Sequence, residues 1–397
     1  MAKNIKIGLF GFGVVGQGLL SVLNASKSID AEIVKVCVKS KDKERNIPQE
    51  LITFDPNDIL NDSSINLVVE LIDNADDAYQ FVKTALLNGK NVVSASKKML
   101  ATHLAELIEI QKNSNVSLLY EASACGSIPI IRNLEEYYDN DLLQSVSGIL
   151  NGSSNYILSK IFNEKGSYSE SLKKAQELGF AESNPYFDVE GFDSLYKLII
   201  ITLHGFGVLV RSEDVFVYGI SNISEHDINY AREKGYKIKL VGQVRYLDGN
   251  RISLFVCPRL VTPDKYIYNV ENQFNGVVLQ GLFYDKQFMF GQGAGGHPTG
   301  SAVLSDITAQ FHDYKYEYKK LNQAVIPTYT TDVAIEVYLR YDSEATLDLL
   351  QFESISERYT SENYKYIIGR TKLTKLVAIA DVLRTKDVFL AYTGSAI

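Results

Sequence analysis

The sequence predicts an α/β protein that begins with a doubly wound parallel sheet and continues into an α+β region and a small C-terminal module. Three observations predict this organisation. Short β-branched runs alternate with amphipathic stretches from Ile5 to about residue 121, a glycine triplet follows the first run, and helical patterns precede strand-like runs after about residue 140. Continuous apolar strands separated by helices are typical of a parallel sheet covered on both faces.

The element bounds follow from these patterns. The first domain spans 1–140 with a return segment at 300–322, and its predicted strands are 5–10, 33–38, 65–71, 91–95 and 116–120. The second, at 141–299, places helices at 153–162, 169–178 and 192–204 before strands at 237–246, 252–257 and 276–283. Helices followed by strands favour an α+β domain with helices on one face of a mostly antiparallel sheet. Such a sheet can pair across a dimer, so we expect a homodimer.

The remaining residues, 325–397, predict a small β-α-β-α-β module. Strand-like runs at 335–340, 364–368 and 388–392 alternate with helical patterns at 347–359 and 373–383.

Composition excludes several classes of protein. The 397 residues are 46% hydrophobic and carry a net charge of -8, which argues against a nucleic-acid partner. Three scattered cysteines make neither a disulfide framework nor a CxxC metal site. The N-terminal run has the pattern of a strand and not of a signal peptide, and the apolar stretch at 195–210 is too short to cross a membrane. We expect a cytoplasmic protein with small-molecule partners and no membrane partner.

A GxGxxG motif lies between the first predicted strand and a helical pattern at 14–23. In this context the glycines permit a tight turn and let backbone amides approach a pyrophosphate at the helix N-terminus. The alternative is a purely structural turn. The motif predicts a Rossmann-type nucleotide-binding domain whose loop contains Gly11, Phe12, Gly13, Val14, Val15 and Gly16.

The end of the second predicted strand favours NADP(H). An NAD-binding protein places Asp or Glu there to bind the ribose hydroxyls, whereas this sequence has Lys39 and Lys41, which can pair with a 2′-phosphate. Two solvated surface lysines are the alternative. Asp42 lies close by and leaves NAD(H) open.

Six segments, in order from about residue 5 to 310, resemble the homoserine dehydrogenase family. They are 8–16, 89–97, 121–129, 148–156, 175–197 and 291–306. Because the chain begins at the nucleotide fold, it is similar to the monofunctional form without an aspartate kinase domain. The resemblance implies NADPH-dependent reduction of L-aspartate 4-semialdehyde to L-homoserine in threonine, methionine and isoleucine biosynthesis.

The resemblance also implies the catalytic residues. Lys197 is the proton donor to the forming alkoxide, Asp193 orients it, and Lys97 assists at the substrate and nicotinamide. The sequence pattern supports part of this assignment. Asp193 and Lys197 are four residues apart on a predicted helix without a polar stripe, so we expect the pair to lie at the edge of a core. An exposed salt bridge is the alternative for this pair. A solvated lysine is the alternative for Lys97, and Lys98 follows directly.

The remaining binding residues are implied by the resemblance as well. Glu182 pairs with the substrate ammonium group, and Asp188 belongs to the same pocket. Backbone carbonyls of the 121–129 loop hold a sodium ion. The sodium residues are Glu121, Ala124, Gly126 and Ile128, and the further cofactor residues are Asp73, Asn74, Ser94, Lys97, Gly293 and Gly295.

Some positions depart from the family pattern. Asp73 stands where glycine or a small hydroxyl is common, Ser96 where asparagine is usual, and Asn184 where aspartate is usual. The C-terminal module resembles ACT domains that bind threonine but is one strand short. Threonine feedback is a hypothesis that rests on this resemblance. Two other functions stay open: a non-catalytic NADP-binding sensor and a reductase of another amino-acid semialdehyde.

Overall fold

The computed structural model describes residues 4–164 and 166–395. The chain forms two compact units, Met1–Tyr137 with Gln292–Lys319, and Tyr138–Gly291 with Lys320–Ile397. The first three residues of the predicted domain 1–140 and the last two of the predicted module 325–397 lie outside the described residues. Among those described, no helix is both long and apolar enough to cross a membrane.

The first unit is built on a parallel sheet. Its strands are β1 (Ile5–Phe10), β2 (Ala31–Cys37), β3 (Ile52–Thr53), β4 (Leu67–Glu70), β5 (Asn91–Ser94) and β6 (Leu118–Leu119). Its helices before residue 138 are α1 (Val14–Ala25), α2 (Asn57–Leu60), α3 (Ala75–Leu87), α4 (Lys97–Ser114) and α5 (Ile130–Glu136). Within the described residues the strand order is β3-β2-β1-β4-β5-β6, with every pair parallel. The predicted doubly wound sheet is confirmed.

The second unit begins with a helical layer and a mixed sheet. Its strands up to residue 292 are β7 (Leu143–Ile149), β8 (Phe216–Val217), β9 (Lys237–Leu247), β10 (Arg251–Val261), β11 (Phe274–Gly281) and β12 (Lys286–Gln292). Its helices are α6 (Gly152–Glu164), α7 (Tyr168–Glu177), α8 (Tyr186–Val189), α9 (Phe192–Phe206) and α10 (Glu225–Glu233). Helix α9 is buried on nearly every side and packs on β9, where a Cβ at Gly242 would lie 3.6 Å from Leu198.

The chain then returns to the first unit as α11 (Gly296–Phe311) before completing the second. Helices α1 and α11 pack at glycines, because a Cβ at Gly18 would lie 2.0 Å from the carbonyl oxygen of Gly296, and one at Gly300 would lie 2.6 Å from the amide nitrogen of Leu19. Any larger side chain at Gly18 therefore separates the two helices.

The C-terminal segment has two more strands than the three that the sequence predicted. Its elements are β13 (Thr328–Tyr329), β14 (Ala334–Tyr341), α12 (Glu344–Leu350), β15 (Ser354–Thr360), β16 (Lys365–Lys372), α13 (Leu373–Arg384) and β17 (Phe389–Tyr392). The predicted helix at 347–359 ends early, since Gln351 adopts a left-handed φ of 49° and β15 follows. The order from β14 is therefore β-α-β-β-α-β, in place of the predicted β-α-β-α-β.

These C-terminal strands extend the sheet of the second unit. Within the described residues its order is β12-β11-β7-β9-β10-β17-β14-β16-β15, while β8 and β13 pair with β10 off this path. Strand β17 joins the two halves through the parallel pairing of Tyr392 with Arg259.

Candidate functional site

The glycine loop after β1 has the geometry of a dinucleotide turn. Gly11 has a φ of +92°, and a Cβ there would lie 2.6 Å from the carbonyl oxygen of Leu71. A Cβ at Gly16 would lie 2.7 Å from the carbonyl oxygen of Gly11. At Gly13, by contrast, a Cβ would meet no described atom within 4 Å. The first and third glycines are required by the fold, and the second leaves space that a ligand can use.

The N-terminus of α1 offers amides to that space. The helix begins at Val14 after Gly13, which has no side chain to cap it, and the first turn contains no acidic residue. Val14 is exposed, Val15 is half-buried and Phe12 is buried. The first amides of a helix lack intrahelical partners and attract anions, so this end suits a pyrophosphate.

The predicted 2′-phosphate lysines lie just past β2. Lys39 and Lys41 are exposed, and the Lys41 ammonium lies 5.3 Å from the centre of the Phe54 ring. Asp42, which left NAD(H) open, is exposed in the same loop. The acidic residue that would bind a ribose hydroxyl is absent from the end of β2 (Ala31–Cys37).

In the loop after β4, Asn74 caps the next helix, whereas its neighbour Asp73 is exposed to solvent. Asn74 caps α3, since its Oδ1 accepts from the amides of Asp76 at 3.0 Å and Asp77 at 2.9 Å. Asp73 is exposed beside it. The predicted cofactor residue Asn74 therefore already uses its side-chain oxygen within the fold.

Ser94 and Glu70 form a buried pair where β4 and β5 end. The Ser94 hydroxyl donates to Glu70 Oε2 at 2.5 Å and accepts from the Ser96 amide at 3.1 Å. Glu70 Oε1 accepts from the Ile72 amide at 2.7 Å. Ser94, predicted to bind the cofactor, thus fixes the turn that leads into α4 and Lys97.

Sequence reasoning missed Glu70. Its side chain is fully buried, and burial raises its pKa to about 7, against the opposing hydrogen bonds from Ser94 and Ile72. The available signal was a carboxylate ending the apolar run of β4, since charges are seldom buried without a role.

Lys97 and Lys98 begin α4 but differ in exposure. Lys97 is half-buried and Lys98 is exposed. Both side chains have interactions within the protein.

The loop predicted to hold sodium is rich in turns. Gly126 has a φ of +57°, and a Cβ there would lie 2.6 Å from the carbonyl oxygen of Gln292. The carbonyl of Glu121 accepts from the Ala124 amide, and that of Ile128 accepts from the Ile130 amide. Each of these two carbonyls retains a second lone pair and can accept one further interaction.

The Glu121 carboxylate is committed elsewhere. Its two oxygens accept from the amides of Ile131 at 2.9 Å and Arg132 at 2.7 Å, at the start of α5. Its own amide donates to Asp306, whose carboxylate also binds Arg132 at 2.7 Å and whose pKa burial raises to about 7. Within the described residues no cluster of three or more His, Cys, Asp or Glu side chains could hold a metal ion. Any cation here would depend on backbone oxygens.

The glycines at 291–296 connect β12 to α11. Gly295 has a φ of +116° and precedes the helix as its N-cap. Gly126 packs against Gly293, where its Cβ would lie 2.6 Å from the carbonyl carbon. His297 contacts the Ser21 hydroxyl at 3.2 Å.

In the second unit, Asp193 and Lys197 form a buried ion pair. The Lys197 ammonium lies 2.8 Å from Asp193 Oδ2, and the side chains are only 9% and 8% exposed. The same ammonium donates to the carbonyl oxygen of Leu150 at 2.8 Å. Helix α9 places the two residues one turn apart, and the apolar remainder of the helix keeps them out of open solvent.

Asn151 links this pair to Asp188. Its Nδ2 donates to Asp188 at 2.8 Å and to Asp193 at 2.9 Å, while its Oδ1 accepts from the Ser154 amide at 2.8 Å and holds the start of α6. One amide thus brings together two carboxylates that the sequence assigned to catalysis and substrate binding.

Asn275 on β11 was also missed. Its Nδ2 donates to the Leu150 carbonyl at 3.0 Å, the same oxygen that accepts from Lys197. Its Oδ1 is buried without a hydrogen-bond partner among the described residues, and the residue is fully buried. This orphaned amide oxygen belongs to a residue that shares its acceptor with Lys197, and a ligand or water can satisfy it.

Glu182 is placed differently from the other predicted residues. It is exposed, and within the described part of the chain no hydrogen bond or ion pair joins its carboxylate to Asp188, Asp193 or Lys197. The structure brings Asp188, Asp193 and Lys197 together with Asn151 but leaves Glu182 outside this cluster.

Arg384 of α13 contacts the turn that precedes α9. Its Nε lies 3.6 Å from Glu190 Oε2, which is an ion pair but not a hydrogen bond, and its guanidinium lies 5.1 Å from the centre of the Phe192 ring. The Ser221 hydroxyl donates to the other oxygen of Glu190. The C-terminal segment therefore supports the residues just before Asp193.

A parallel sheet in this strand order, with a glycine loop after its first strand, is the architecture of dinucleotide-dependent dehydrogenases. A buried lysine–aspartate pair adds a group suited to proton transfer. The fold and site thus define an NAD(P)-dependent oxidoreductase.

Comparison with known proteins identifies the family. The family model for homoserine dehydrogenase matches residues 129–308, and the model for its NAD-binding domain matches 11–121. The homoserine dehydrogenase of Bacillus subtilis is 37% identical over 316 residues, which cover 77% of this chain and 73% of that protein. That of Lactococcus lactis is 33% identical over 376 residues, covering 91% and 88%. The chain belongs to the homoserine dehydrogenase family, whose members act on a CH–OH group.

A solved structure extends the similarity over the whole fold. The homoserine dehydrogenase of Thiobacillus denitrificans is 31% identical, with a TM-score of 0.85, and covers 99% of each chain. That of Staphylococcus aureus at pH 6.5 is 29% identical, with a TM-score of 0.74 and full coverage of both chains. The predicted family, α/β fold and oxidoreductase activity are confirmed.

Proposed function

We propose that this chain reduces L-aspartate 4-semialdehyde to L-homoserine with NADPH, and that Lys197 delivers the proton. The observation that carries the proposal is the buried Lys197–Asp193 ion pair at 2.8 Å, linked through Asn151 to Asp188. Bound NADPH would supply the hydride to the carbonyl carbon.

Lys197 can serve as the proton donor because two groups fix its position. Asp193 and the Leu150 carbonyl hold two of its hydrogen-bonding directions, and an ammonium has three. The remaining direction can point at the carbonyl oxygen on which negative charge develops. After Lys197 gives up its proton, Asp193 keeps the neutral amine oriented for reprotonation.

Lys97 is proposed to stabilise charge at the substrate and nicotinamide. Its half-buried position at the start of α4, held by the Ser94–Ser96 turn, supports this choice over the exposed Lys98. A lysine at the carboxyl end of a parallel strand lies where open α/β sheets bind their ligands.

Asp188 and Glu182 are proposed to bind the substrate ammonium group. Asp188 is half-buried beside Asn151, so its carboxylate is already oriented. Glu182 is exposed, and its role rests on the family resemblance alone.

The cofactor proposal assigns the pyrophosphate to the loop at 11–16 and the 2′-phosphate to Lys39. The open space at Gly13 supports the pyrophosphate assignment. The absence of a carboxylate at the end of β2 supports NADP(H) over NAD(H). Asp73, Asn74, Ser94, Gly293 and Gly295 are proposed to line the cofactor or to shape the turns around it.

Three further proposals concern a bound ion, the oligomeric state and the cellular compartment. A sodium ion is held mostly by the backbone carbonyls of Glu121, Ala124, Gly126 and Ile128, in a structural role. The chain forms a homodimer, and it works in the cytoplasm. The oxygen-rich turns of the 121–128 loop support the first of these.

The central experiment follows NADPH absorbance with L-aspartate 4-semialdehyde for the wild type and for Lys197→Ala. We expect kcat to fall by roughly two to four orders of magnitude, since general acid catalysis contributes that much. Lys160→Ala is the matched control, because Lys160 also forms an i,i+4 ion pair, with Glu164 at 2.6 Å on the exposed side of α6.

The outcomes separate the assignments. If the wild type binds NADPH without turnover, the chain is a sensor and the activity proposal is wrong. If another amino-acid semialdehyde is reduced with a higher kcat/KM, the substrate assignment is wrong. If Lys197→Ala retains the wild-type rate, only the role given to Lys197 is wrong.

A further inference from the structure

Two half-buried arginines of the second unit line one cavity. Arg245 on β9 and Arg259 on β10 both line a cavity of about 550 Å³. The Nε atoms of both are buried without a hydrogen-bond partner. Across residues 4–164 and 166–395, neither guanidinium forms an ion pair with a carboxylate.

The two side chains share the sheet face opposite α9. Gly242 and Val256 are paired and lie on the α9 side, where a Cβ at Gly242 would meet Leu198. Because successive residues of a strand alternate between faces, the odd-numbered Arg245 and Arg259 lie on the other side. The cavity is therefore separate from the Lys197–Asp193 site, which lies on α9.

Arg259 is held in place from both sides. Its guanidinium lies 5.4 Å from the centre of the Tyr392 ring, and a Cβ at Gly394 would lie 3.1 Å from its Nε. The Tyr392 hydroxyl donates to the carbonyl of Ser395, which fixes the ring. Burial, with the nearby Arg245 charge adding to the effect, lowers the pKa of Arg259. A guanidinium with both faces packed offers its edge in a fixed direction.

The cavity lining has an excess of positive charge. Its other charged residues are Asp264, Lys265, Asp285 and Lys286, so four cations face two carboxylates. Asp264 accepts from the Lys265 ammonium at 2.6 Å and from the Thr262 hydroxyl. Asp264 is thus paired locally and acts on Arg259 only over a distance too long for an ion pair, so the lining keeps an excess of two positive charges.

We propose that this cavity binds a small-molecule anion carrying a carboxylate or phosphate group, with Arg245 and Arg259 as its ligands. Partly desolvated charges without an ion-pair partner are costly, and an oxyanion satisfies guanidinium forks with paired, charge-assisted hydrogen bonds. The volume lies in the range of small-molecule sites and exceeds that of a single inorganic ion. The site is independent of the proposed reductase activity.

The test titrates the full chain with inorganic phosphate and, separately, with succinate, by calorimetry at constant ionic strength. We expect saturable binding of one anion per chain, weakened at least tenfold in Arg245→Gln and in Arg259→Gln. Arg358→Gln is the control, because Arg358 on β15 is 48% exposed and lies outside the cavity. The tighter probe identifies the group as phosphate or carboxylate.

Two results would overturn the proposal. One is the absence of saturable binding of either probe to the wild type at millimolar concentration. The other is unchanged anion binding in both arginine variants, and a simultaneous change in oligomeric state by sedimentation would then assign the arginines to a contact between copies. Arg259→Lys keeps the charge but loses the fork, so a folded Arg259→Lys with weakened binding shows that the loss does not come from unfolding.

Discussion

The Ser94 hydroxyl donates to Glu70 Oε2 at 2.5 Å where two neighbouring strands of the parallel sheet end. Glu70 also accepts from the Ile72 amide, so one buried carboxyl fixes both the loop after β4 and the turn into α4. These two segments contain Asp73 and Lys97, which the family resemblance assigns to the cofactor. Glu70 is therefore a positioning residue for that end of the sheet.

The first prediction concerns the pH dependence of stability through Glu70. Burial raises its pKa from 4.5 to about 7, so the folded state binds this proton more tightly than the unfolded chain. The resulting stabilisation is complete below the unfolded pKa and is lost as pH rises through about 7. Glu70→Gln keeps the shape and removes this titration.

Denaturant unfolding of wild type and Glu70→Gln, from about pH 5 to about pH 8, measures the effect. Relative to the variant, we expect the wild type to lose stability on the order of 3 kcal/mol as pH rises, because each pKa unit corresponds to about 1.4 kcal/mol. Asp76→Asn is the exposed control. A constant difference between the wild type and Glu70→Gln across this range would contradict the assignment.

The second prediction concerns Asn151. In Asn151→Asp, one oxygen can still cap α6, but the donor to Asp188 and Asp193 becomes a third carboxylate. Like charges at this spacing favour protonation and weaken the hold on Lys197. We expect kcat to fall at least tenfold and the acid limb of the pH–rate profile to move to higher pH.

Asn163→Asp provides a comparison, because the Asn163 amide also donates to a carboxylate, Glu271 at 3.2 Å, but at the exposed end of α6. Steady-state rates at several pH values distinguish the two variants. Equal profiles for wild type and Asn151→Asp would show that the bridge has no part in catalysis.

The third prediction concerns the nicotinamide cofactor. Lys39→Ala removes the charge proposed to bind the 2′-phosphate, so KM for NADPH should rise by about tenfold while KM for NADH stays constant. Lys43→Ala, in the same exposed loop, should change neither value. A rise of equal size in both KM values would show that Lys39 does not bind the 2′-phosphate.

The fourth prediction separates Gly13, which precedes α1, from Gly18, which lies within it. Gly13→Ala should fold normally, since its Cβ meets no described atom within 4 Å and its φ is -81°, yet it should weaken NADPH binding. Gly18→Ala should instead lower the stability by roughly 1–3 kcal/mol, because its Cβ would overlap the backbone of Gly296. Thermal melts and cofactor titrations of both variants check this division. Normal stability in Gly18→Ala would contradict the packing of α1 on α11.

The sequence predicted the parallel sheet because its strands are short, apolar and separated by helices. It missed β15, whose residues are mostly exposed and include Glu357 and Arg358. A strand at the edge of a sheet needs no alternation of apolar side chains, so its pattern resembled the end of the preceding helix.

The site was predicted in part for a similar reason. Asp193 and Lys197 share one helix, so their spacing alone brought them together. Asn151 and Asn275 reach the two partners of Lys197 from distant segments. Only the folded chain shows that Asn151 donates to Asp193 and that Asn275 donates to the Leu150 carbonyl. Short-range patterns carry no information on such contacts.

The packing of α1 on α11 also sets the order in which the chain matures. Gly18 contacts Gly296, and the residues between them in the sequence form most of the first unit and much of the second. This contact therefore closes a very long loop. During synthesis, the first helix leaves the ribosome long before its partner exists. We expect the glycine loop to become rigid only after residue 311 has been added. The nascent chain should therefore bind the cofactor tightly only late in synthesis.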